Sequence, residues 1–335
     1  MTSPLRLGLC CQFLDAPIHF RTATHRYVSG LTRAARRTYL ADITRDNAAA
    51  LAAAVDQCAA LGIGAFRINS QILPLGTHPV SGYALDALDR KGEIRDAFQR
   101  AGELAKTRSV RLSFHPDQFV VLNSERADVV RASAEELEFQ TGVADLVGAD
   151  IIVFHGGSTA GGVPAALERL ERGLDLLSER ARRRIALEND DHRFTPADLL
   201  PLCRRAGVPL VYDAHHHRCH PDGMSVEEAT ELAAATWDGR EPWTHISSPR
   251  DGWGSGNPRP HADYIDIADF PSSWVGRRMT VDVEAKAKER AVVRLMGQIS
   301  RSEPEPPPSP SPTSRRRPGR RAPRSGSGTR PGSRR

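Results

Sequence analysis

Short apolar runs alternate with amphipathic stretches along most of the chain. From residue 5 to about residue 300, each β-rich run ends in polar residues and is followed by a segment with helical periodicity. Most of the apolar runs lack polar alternation, which is typical of strands covered on both faces. The pattern predicts eight strands, at residues 5–12, 65–70, 110–115, 150–155, 184–188, 210–213, 243–247 and 279–284.

The segments between these runs carry helix signals. Residues 46–61 have apolar side chains at i, i+4 and i+7, and residues 127–146 predict a longer helix. Thr195 followed by Pro196 is typical of an N-cap with proline at the first helical position, and Gly207 predicts the end of that helix.

Eight strands that alternate with helices over about 300 residues predict a (β/α)₈ TIM barrel, which we assign to residues 1–302. The alternative is a doubly wound open sheet. That fold usually has a glycine-rich turn after its first strand, and the segment GLCCQF does not match such a turn.

Charge is distributed unevenly along the chain. The 335 residues include 46 Lys and Arg against 41 Asp and Glu, a net charge of +5. Residues 303–335 hold nine arginines and two glutamates, a net of +7, so the remainder carries −2. This Pro/Arg/Ser-rich segment has no Leu, Ile, Val or aromatic residue, which predicts a disordered basic tail. It is either a solvated appendage or an arm attracted to nucleic-acid phosphates.

The sequence also bears on the cellular compartment. Neither an 18-residue apolar run nor a secretory leader pattern is found. The five cysteines are an odd number without CxxC spacing, which disfavours a disulfide framework and a structural zinc site. We therefore predict a cytoplasmic protein.

Metal-ligating residue types stand at or just beyond the predicted strand ends. In a parallel barrel these ends meet on one rim, where barrel enzymes place their sites. The triple histidine at residues 215–217 cannot supply three ligands, and the D-x-x-H spacing from Asp213 favours its middle member. The candidates are His115, His155, Glu188, Asp213, His216, His245, His261 and Glu284.

Five imidazoles and three carboxylates on one rim are costly unless cations neutralise them. A histidine and carboxylate set without thiolate suits Mn²⁺, Zn²⁺ or Fe²⁺, and eight ligands imply two or three ions. A single histidine after a strand is more often structural. We keep that interpretation for His19, His25, His192 and His220.

Several motifs together resemble the UV damage endonuclease family. They are FRINSQILPLGTHP, LSFHPDQFVVLNS, ALENDD, DAHHH, SSP followed by HADY, and EAKAKE, and the resemblance runs from about residue 5 to residue 298. Members of that family nick double-stranded DNA immediately 5′ to cyclobutane pyrimidine dimers and 6-4 photoproducts. Their metal-dependent barrel is related in architecture to endonuclease IV, the apurinic-site nuclease.

The resemblance implies that the same eight residues bind two or three manganese ions, with Mg²⁺, Co²⁺ or Zn²⁺ as alternatives. Glu188 would bridge two ions and serve catalysis. His78 would lie at the site, and Lys286 and Lys288 could contact phosphate or be solvated residues of a helix start. Gln118, Phe119 and Asn123 are assigned to the lesion or the DNA, and the alternative for Phe119 is a core residue that closes the top of the barrel. The expected form is a monomer without an obligate protein partner.

Two departures from the family pattern bear on these assignments. Some members have a lysine shortly before the seventh-strand histidine that can be carbamylated close to the metals. Here Thr244 precedes His245 and cannot be modified in this way, which leaves the number and choice of metals open. Some members have Gln-Tyr as the lesion probe, and Gln118-Phe119 keeps the ring without the hydroxyl.

Three alternative functions fit parts of the pattern. A metal-dependent sugar isomerase or epimerase would use the same barrel and metal pair, but it needs neither an aromatic wedge nor a DNA groove. An apurinic-site endonuclease would share the metal cluster and differ in its lesion. A non-enzymatic lesion-binding protein is disfavoured, because the ligand set is intact.

Overall fold

A computed structural model of the chain describes residues 5–302, and within them eight parallel strands form a closed barrel in chain order. This confirms the predicted (β/α)₈ architecture. The predicted tail at residues 303–335 lies outside the described residues. The strands are β1 Leu5–Cys10, β2 Ala65–Ile68, β3 Arg111–Phe114, β4 Ile151–His155, β5 Ile185–Glu188, β6 Leu210–Asp213, β7 Trp243–Ile246 and β8 Met279–Val283.

Helices follow most of the strands and cover the barrel. In the described range they are α1 His25–Ser29, α2 Arg33–Ala60, α3 Leu85–Leu88, α4 Glu93–Thr107, α5 Ala127–Val147, α6 Val163–Leu174, α7 Glu179–Arg182, α8 Pro196–Ala206, α9 Ala214–Cys219, α10 Val226–Ala234 and α11 Lys288–Ser302. The connection from β7 to β8 contains two short 3₁₀ helices, Ile267–Asp269 and Ser272–Trp274. None of the helices in residues 5–302 is long and apolar enough to cross a membrane.

The predicted boundaries differ from the observed ones in two ways. Several strands end one or two residues early; β1 stops at Cys10 because Cys11 takes a left-handed backbone with φ of 64°. The helix predicted at 46–61 begins at Arg33, where the Thr32 hydroxyl caps it by accepting a hydrogen bond from the Ala35 amide at 3.2 Å. The predicted cap at Thr195 is also present.

The inner face of the barrel follows the period-two rule of a strand. Seven buried apolar residues form a small cluster separate from the main core: Ala65, Ile151, Val153, Ala186, Val211, Trp237 and Trp243. Six of them lie on β2, β4, β5, β6 and β7, at positions that alternate with residues of the main core between strands and helices. The cluster therefore fills the barrel interior. Side chains two residues further along each strand lie above it, toward the carboxyl ends.

Candidate metal centre

The eight predicted ligands meet at the carboxyl end of the barrel. On four neighbouring strands the ligand stands two residues after a member of the interior cluster, and thus on the same strand face. The four are His155, Glu188, Asp213 and His245. Register keeps them level in two pairs, because His155 pairs with Glu188 and Asp213 pairs with His245 across the strands, whereas Glu188 itself pairs with Val211 on β6.

One oxygen of Glu188 faces a first pair of imidazoles. Glu188 Oε2 lies 2.8 Å from His115 Nε2 and 3.3 Å from His155 Nε2. Donor atoms of these three residues all lie within 4.8 Å of one another. On its other side the His115 ring donates from Nδ1 to the Pro116 carbonyl at 3.1 Å, which fixes the ring and leaves Nε2 toward the centre.

The other oxygen of Glu188 faces a second pair. Glu188 Oε1 lies 2.9 Å from His245 Nδ1 and 3.4 Å from His216 Nδ1. A second group of donor atoms within 4.8 Å of one another comes from Glu188, Asp213, His245 and Glu284. Glu188 is fully buried and belongs to both groups of donor atoms.

Asp213 and Glu284 complete the second group. Asp213 Oδ1 caps α9 by accepting from the His216 amide at 2.7 Å, while Oδ2 is buried without a hydrogen-bond partner. That free oxygen lies 3.6 Å from His216 Nδ1. Glu284 Oε2 lies 3.6 Å from His261 Nδ1, so the last predicted ligand also reaches the cluster.

The electrostatics of the cluster favour ionised carboxylates. Burial alone would raise the pKa of Glu188, but the imidazoles of His245, His155 and His115 lower it well below its usual range. Burial would likewise lower the pKa of His216. The carboxylates of Asp213 and Glu188 outweigh that effect and raise it. Carboxylates that stay charged at neutral pH are ready to bind cations.

The residues present fit a divalent metal centre. The donors are imidazole nitrogens and carboxylate oxygens without thiolate, a set that suits Mn²⁺, Fe²⁺ or Zn²⁺. The orphaned Asp213 Oδ2 adds a direct indication, because a buried acceptor without a partner is costly unless a cation satisfies it. The chain thus has His, Asp and Glu clusters that could bind metal ions.

Sequence reasoning missed a charged residue inside this centre. Arg67 on β2 is buried, and its guanidinium contacts Glu284 Oε1 at 2.6 Å, His245 Nε2 at 2.8 Å and Asp282 Oδ2 at 3.0 Å. Arg67 stands two residues after Ala65 of the interior cluster, so the inner-face period could have indicated it. Asp282 was also missed, although it lies two residues before Glu284 and therefore on the same face of its strand.

A third missed residue orients the candidate ligands Asp213 and His216. Asn189, directly after Glu188, is fully buried and exchanges two hydrogen bonds with the Asp213 backbone at 2.9 and 3.0 Å. Its own carbonyl lies 3.0 Å from His216 Nδ1. The neighbouring His217 bridges Tyr212 and Asp222 at 2.8 Å each, which fixes α9.

His78 lies in the connection after β2, where it pairs with another histidine. Its ring stacks on that of His25 with centroids 4.3 Å apart. His78 Nδ1 accepts from the amides of Val80 and Ser81 at 3.1 Å, so its proton is on Nε2. His25, assigned a structural role from the sequence, is therefore the ring that orients His78.

Of the remaining predicted residues, two lysines lie near the last ligand. Lys286 is exposed, two residues after Glu284, and Lys288 is half-buried at the start of α11. Asn123, by contrast, is fully buried. Its amide exchanges hydrogen bonds with the Ser158 backbone at 2.6 and 2.8 Å, joining the loops after β3 and β4. In this arrangement Asn123 has no surface to offer DNA, which corrects its assignment to DNA contact.

Gln118 and Phe119 form the tip of the loop after β3. Both are exposed, and the Phe119 ring has 80% of its surface accessible, which excludes a core position for it in this structure. Val120 and Leu122, which follow directly, are buried and anchor the loop. The chain therefore holds an uncovered aromatic ring four residues beyond the candidate ligand His115.

The two residues before His245 carry no amine. Thr244 donates from its hydroxyl to the Thr280 carbonyl at 3.2 Å, on the outer side of the strand. Trp243 fills the barrel interior beneath His245, and the Arg111 guanidinium lies over its ring. A carbamylated side chain therefore cannot form in this segment.

Comparison with protein families gives a match over residues 5–308 to the family described as UV-endonuclease UvdE. A UV DNA damage endonuclease of Deinococcus radiodurans is 35% identical over 306 residues, which cover 87% of this chain and 94% of that protein.

Solved structures give a matching result. The crystal structure of SacUVDE resembles this chain with a TM-score of 0.78 and 26% identity, covering 89% of this chain and 99% of the other. Endonuclease IV from Thermus thermophilus has a TM-score of 0.58 at 17% identity, with 89% of this chain and 100% of that chain covered. At that identity the second likeness shows the fold alone.

Proposed function

The chain belongs to the UV-endonuclease UvdE family, and we propose that it nicks double-stranded DNA immediately 5′ to UV photolesions by metal-dependent hydrolysis. The family makes it a UV-damage repair endonuclease; the incision position, the lesions and the metal dependence are the proposal. The observation that carries the metal dependence is Glu188, whose two oxygens each face a separate pair of imidazoles.

The proposed cofactor is Mn²⁺, two or three ions per chain, with Mg²⁺, Co²⁺ or Zn²⁺ as alternatives. Such ions supply Lewis acidity toward the scissile phosphate and lower the pKa of water. His115 and His155 would hold the position on one side of Glu188. Asp213, His216, His245, His261 and Glu284 would hold the remainder.

Groups outside this cluster are proposed to position the DNA backbone. Lys286 is exposed two residues after Glu284 and would contact a phosphate bound at the metals. Lys288 is a further candidate for phosphate contact. His78 offers a proton on Nε2, because two backbone amides occupy Nδ1.

Lesion recognition is assigned to the tip of the loop after β3. Photodimers weaken stacking and pairing, so extruding them costs less than extruding normal bases. Phe119 would fill the space that the extruded bases leave, and Gln118 would hydrogen-bond their former partners. Other exposed apolar side chains follow the strands at the same end and support a DNA-contacting rim. They are Leu14 and, on α1, Tyr27 after β1, Val80 after β2 and Trp253 after β7.

The deciding experiment is a nicking assay on supercoiled plasmid. Irradiated, untreated and depurinated plasmids are each incubated with the enzyme in Mn²⁺, Mg²⁺ or EDTA, and the cut positions are mapped by primer extension. We expect nicks in irradiated plasmid with Mn²⁺, immediately 5′ to dipyrimidines, and none in EDTA. Equal cutting of depurinated plasmid would favour an apurinic-site endonuclease, and no cutting of any DNA would favour a sugar isomerase.

Two further statements stay predictions. The protein is a monomer, and it is located in the cytoplasm, where it associates with the nucleoid through DNA. The basic tail of residues 303–335 is proposed to attract DNA phosphates without sequence preference, because it carries a net charge of +7. The oligomeric state is checked by light scattering.

A further inference from the structure

The long helix α2 extends beyond the carboxyl end of the barrel. Near its middle, the buried Asn47 donates to the Ile72 carbonyl at 2.8 Å, in the connection that leaves β2, and exchanges hydrogen bonds with the Arg21 backbone at 2.7 and 2.9 Å. Asn47 thus marks the level of the loops above the strands. Arg33, the first residue of α2, precedes it by 14 residues, or about 21 Å along the helix axis. The first half of α2 therefore extends past the rim that carries the candidate metal centre.

The face of α2 that packs on the barrel becomes cationic in this projecting half. Arg33, Arg37, Leu40, Thr44 and Asn47 follow one another at spacings of four and three residues, which places them on one side of the helix. Leu40, Thr44 and Asn47 are buried, whereas Arg33 and Arg37 are exposed. The two guanidinium groups therefore lie on the inward side of α2, above the point where the barrel ends.

Helix α1 adds a third exposed cation and connects α2 to the site. It packs on the start of α2, where Arg36 donates to the Val28 carbonyl at 3.1 Å. Arg26 on α1 is exposed, and its neighbour His25 stacks on the ring of His78. We name Arg26 together with the two exposed arginines of α2 the α1–α2 surface. It is contiguous with the residues proposed to position the DNA backbone.

No acidic residue neutralises the α1–α2 surface. Residues 25–37 contain four arginines and no Asp or Glu, although residues 1–302 together carry a net charge of −2. The next carboxylates along the chain, Asp42 and Asp46, are paired with other arginines. No carboxylate of residues 5–302 forms an ion pair with the three exposed arginines. The surface is thus a local excess of positive charge on an acidic domain.

These arginines are poorly placed to stabilise the protein itself. Arg33 and Arg37 lie in the first two turns of α2, and the first turn contains no acidic residue. Positive charge near a helix N-terminus is unfavourable, because it opposes the helix dipole. Unpaired cations on an inward face are explained by an anion from outside the chain. Duplex DNA is such a polyanion, and a UV DNA damage endonuclease acts on it.

We propose that the α1–α2 surface, formed by Arg26, Arg33 and Arg37, binds phosphates of the intact duplex beside the lesion. Its contribution to affinity does not depend on damage, whereas Phe119 at the tip of the loop after β3 is assigned to the lesion. The proposal rests on the DNA substrate of the proposed function and adds a second contact surface to it.

The test measures how DNA binding depends on salt. Full-length proteins in EDTA are titrated onto an irradiated and an undamaged duplex of the same sequence, with fluorescence anisotropy as the readout. Each phosphate contact contributes about 0.9 to the slope of log affinity against log salt, so changing Arg26, Arg33 and Arg37 together to Ala should reduce this slope by about 2 to 3 on both duplexes. From about 50 to about 200 mM salt, wild type should lose about 40-fold more affinity than this variant. The matching triple lysine variant should keep the wild-type slope, since it keeps the charge.

A matched control removes three exposed arginines at the opposite end of the barrel. Arg172, Arg204 and Arg301 lie in the last turns of α6, α8 and α11, which point toward the amino ends of the strands. Changing these three to Ala gives the same net charge as the first variant and should leave the slope almost unchanged. An equal reduction in both variants would overturn the proposal, because only net charge would then matter. An unchanged slope in the first variant would overturn it as well.

Thermal unfolding separates binding from a structural role. The α1–α2 alanine variant should melt at or slightly above the wild-type temperature, because its arginines form no ion pair and oppose the helix dipole. A lower melting temperature together with equal weakening at all salt concentrations would show a structural role instead. Arg33→Gln alone, which should reduce the slope by about 0.9, keeps the test decisive if the triple variant does not fold. A wild type that fails to nick irradiated DNA while these slopes behave as expected would contradict the proposed function and leave this surface standing.

Discussion

Glu188→Gln should abolish nicking while the barrel still folds. The side chain is 1% exposed and reaches four imidazoles, two on each oxygen, at distances of 2.8 to 3.4 Å. A carboxamide is nearly isosteric, but it is neutral and presents one oxygen in place of two. It therefore cannot bridge two cations.

The structure sets the size of the expected loss. Removing an outer hydrogen-bond partner of a metal ligand typically costs about 10- to 100-fold in affinity or activity. Glu188 faces both donor groups directly, so each of two ions would lose at least that much. The combined loss is about 10²- to 10⁴-fold. The metal-free variant should lose about 1–3 kcal/mol of stability with its two shortest charged hydrogen bonds, which a domain of this size tolerates.

The assay measures nicking of irradiated supercoiled plasmid at saturating Mn²⁺, together with bound manganese and the circular dichroism melt. Glu241→Gln is the matched control. Its carboxylate is also largely buried and binds Arg6, Arg111 and Thr280, but it lies just before β7 at the opposite end of the barrel. Glu241→Gln should nick almost normally. Near-normal nicking by Glu188→Gln with unchanged manganese content would refute the bridging role.

Three further outcomes are expected. Phe119→Ala should weaken binding to irradiated DNA by about tenfold, or about 1.4 kcal/mol, with little change for undamaged DNA, as measured by fluorescence anisotropy. Truncation after Ser302 should leave turnover at saturating DNA unchanged and reduce the salt dependence of DNA binding. Asp222→Asn should destabilise the protein by about 1–2 kcal/mol at pH 7, because Asp222 accepts hydrogen bonds from His217 and two backbone amides. Burial would raise the pKa of Asp222, but hydrogen bonds from those amides and from His217 lower it. The destabilisation caused by Asp222→Asn should therefore shrink as pH falls below about 4, as measured by urea melts.

Each of these has an outcome that would count against it. Leu176→Ala, which truncates an exposed apolar residue before β5, controls for Phe119; equal losses on both DNAs would remove Phe119 from lesion sensing. An unchanged salt dependence after truncation would show that the tail does not touch DNA. A destabilisation by Asp222→Asn that stays constant from pH 7 to pH 3 would mean that the charge of Asp222 does not contribute.

The candidate ligands could be predicted from the sequence because the topology of the barrel determines where they lie. A parallel barrel brings all strand carboxyl ends to one rim, so knowing where a strand ends suffices to place its last polar residue. His155, Glu188 and Asp213 are the final residues of β4, β5 and β6. Errors of one or two residues at the other strand ends did not move any ligand off the rim.

Side-chain contacts between distant segments could not be read in this way. Arg67 touches His245 and Glu284, which lie 178 and 217 residues further along the chain. On its own, an arginine inside an apolar strand predicts nothing about its partner. Asn123 illustrates the reverse case, because its place in a loop suggested exposure, while two hydrogen bonds to Ser158 bury it.

The alternation of inward-facing residues along the strands explains why the buried carboxylates of the cluster form two groups. Glu188 lies among imidazoles, and Asp282 and Glu284 share Arg67, because each strand can send only alternate residues inward above the apolar interior. Arg67 thus neutralises the carboxylates of Asp282 and Glu284 on the β8 side. On the β5 side, Glu188 needs a cation from solution. A cation added to the protein should therefore bind first where Glu188 faces His115 and His155, since no arginine, lysine or other fixed cation among the described residues is shown in contact with that carboxylate. The exposed tip with Gln118 and Phe119 lies on the same side of the cluster as this expected cation, because the loop leaves β3 directly after His115.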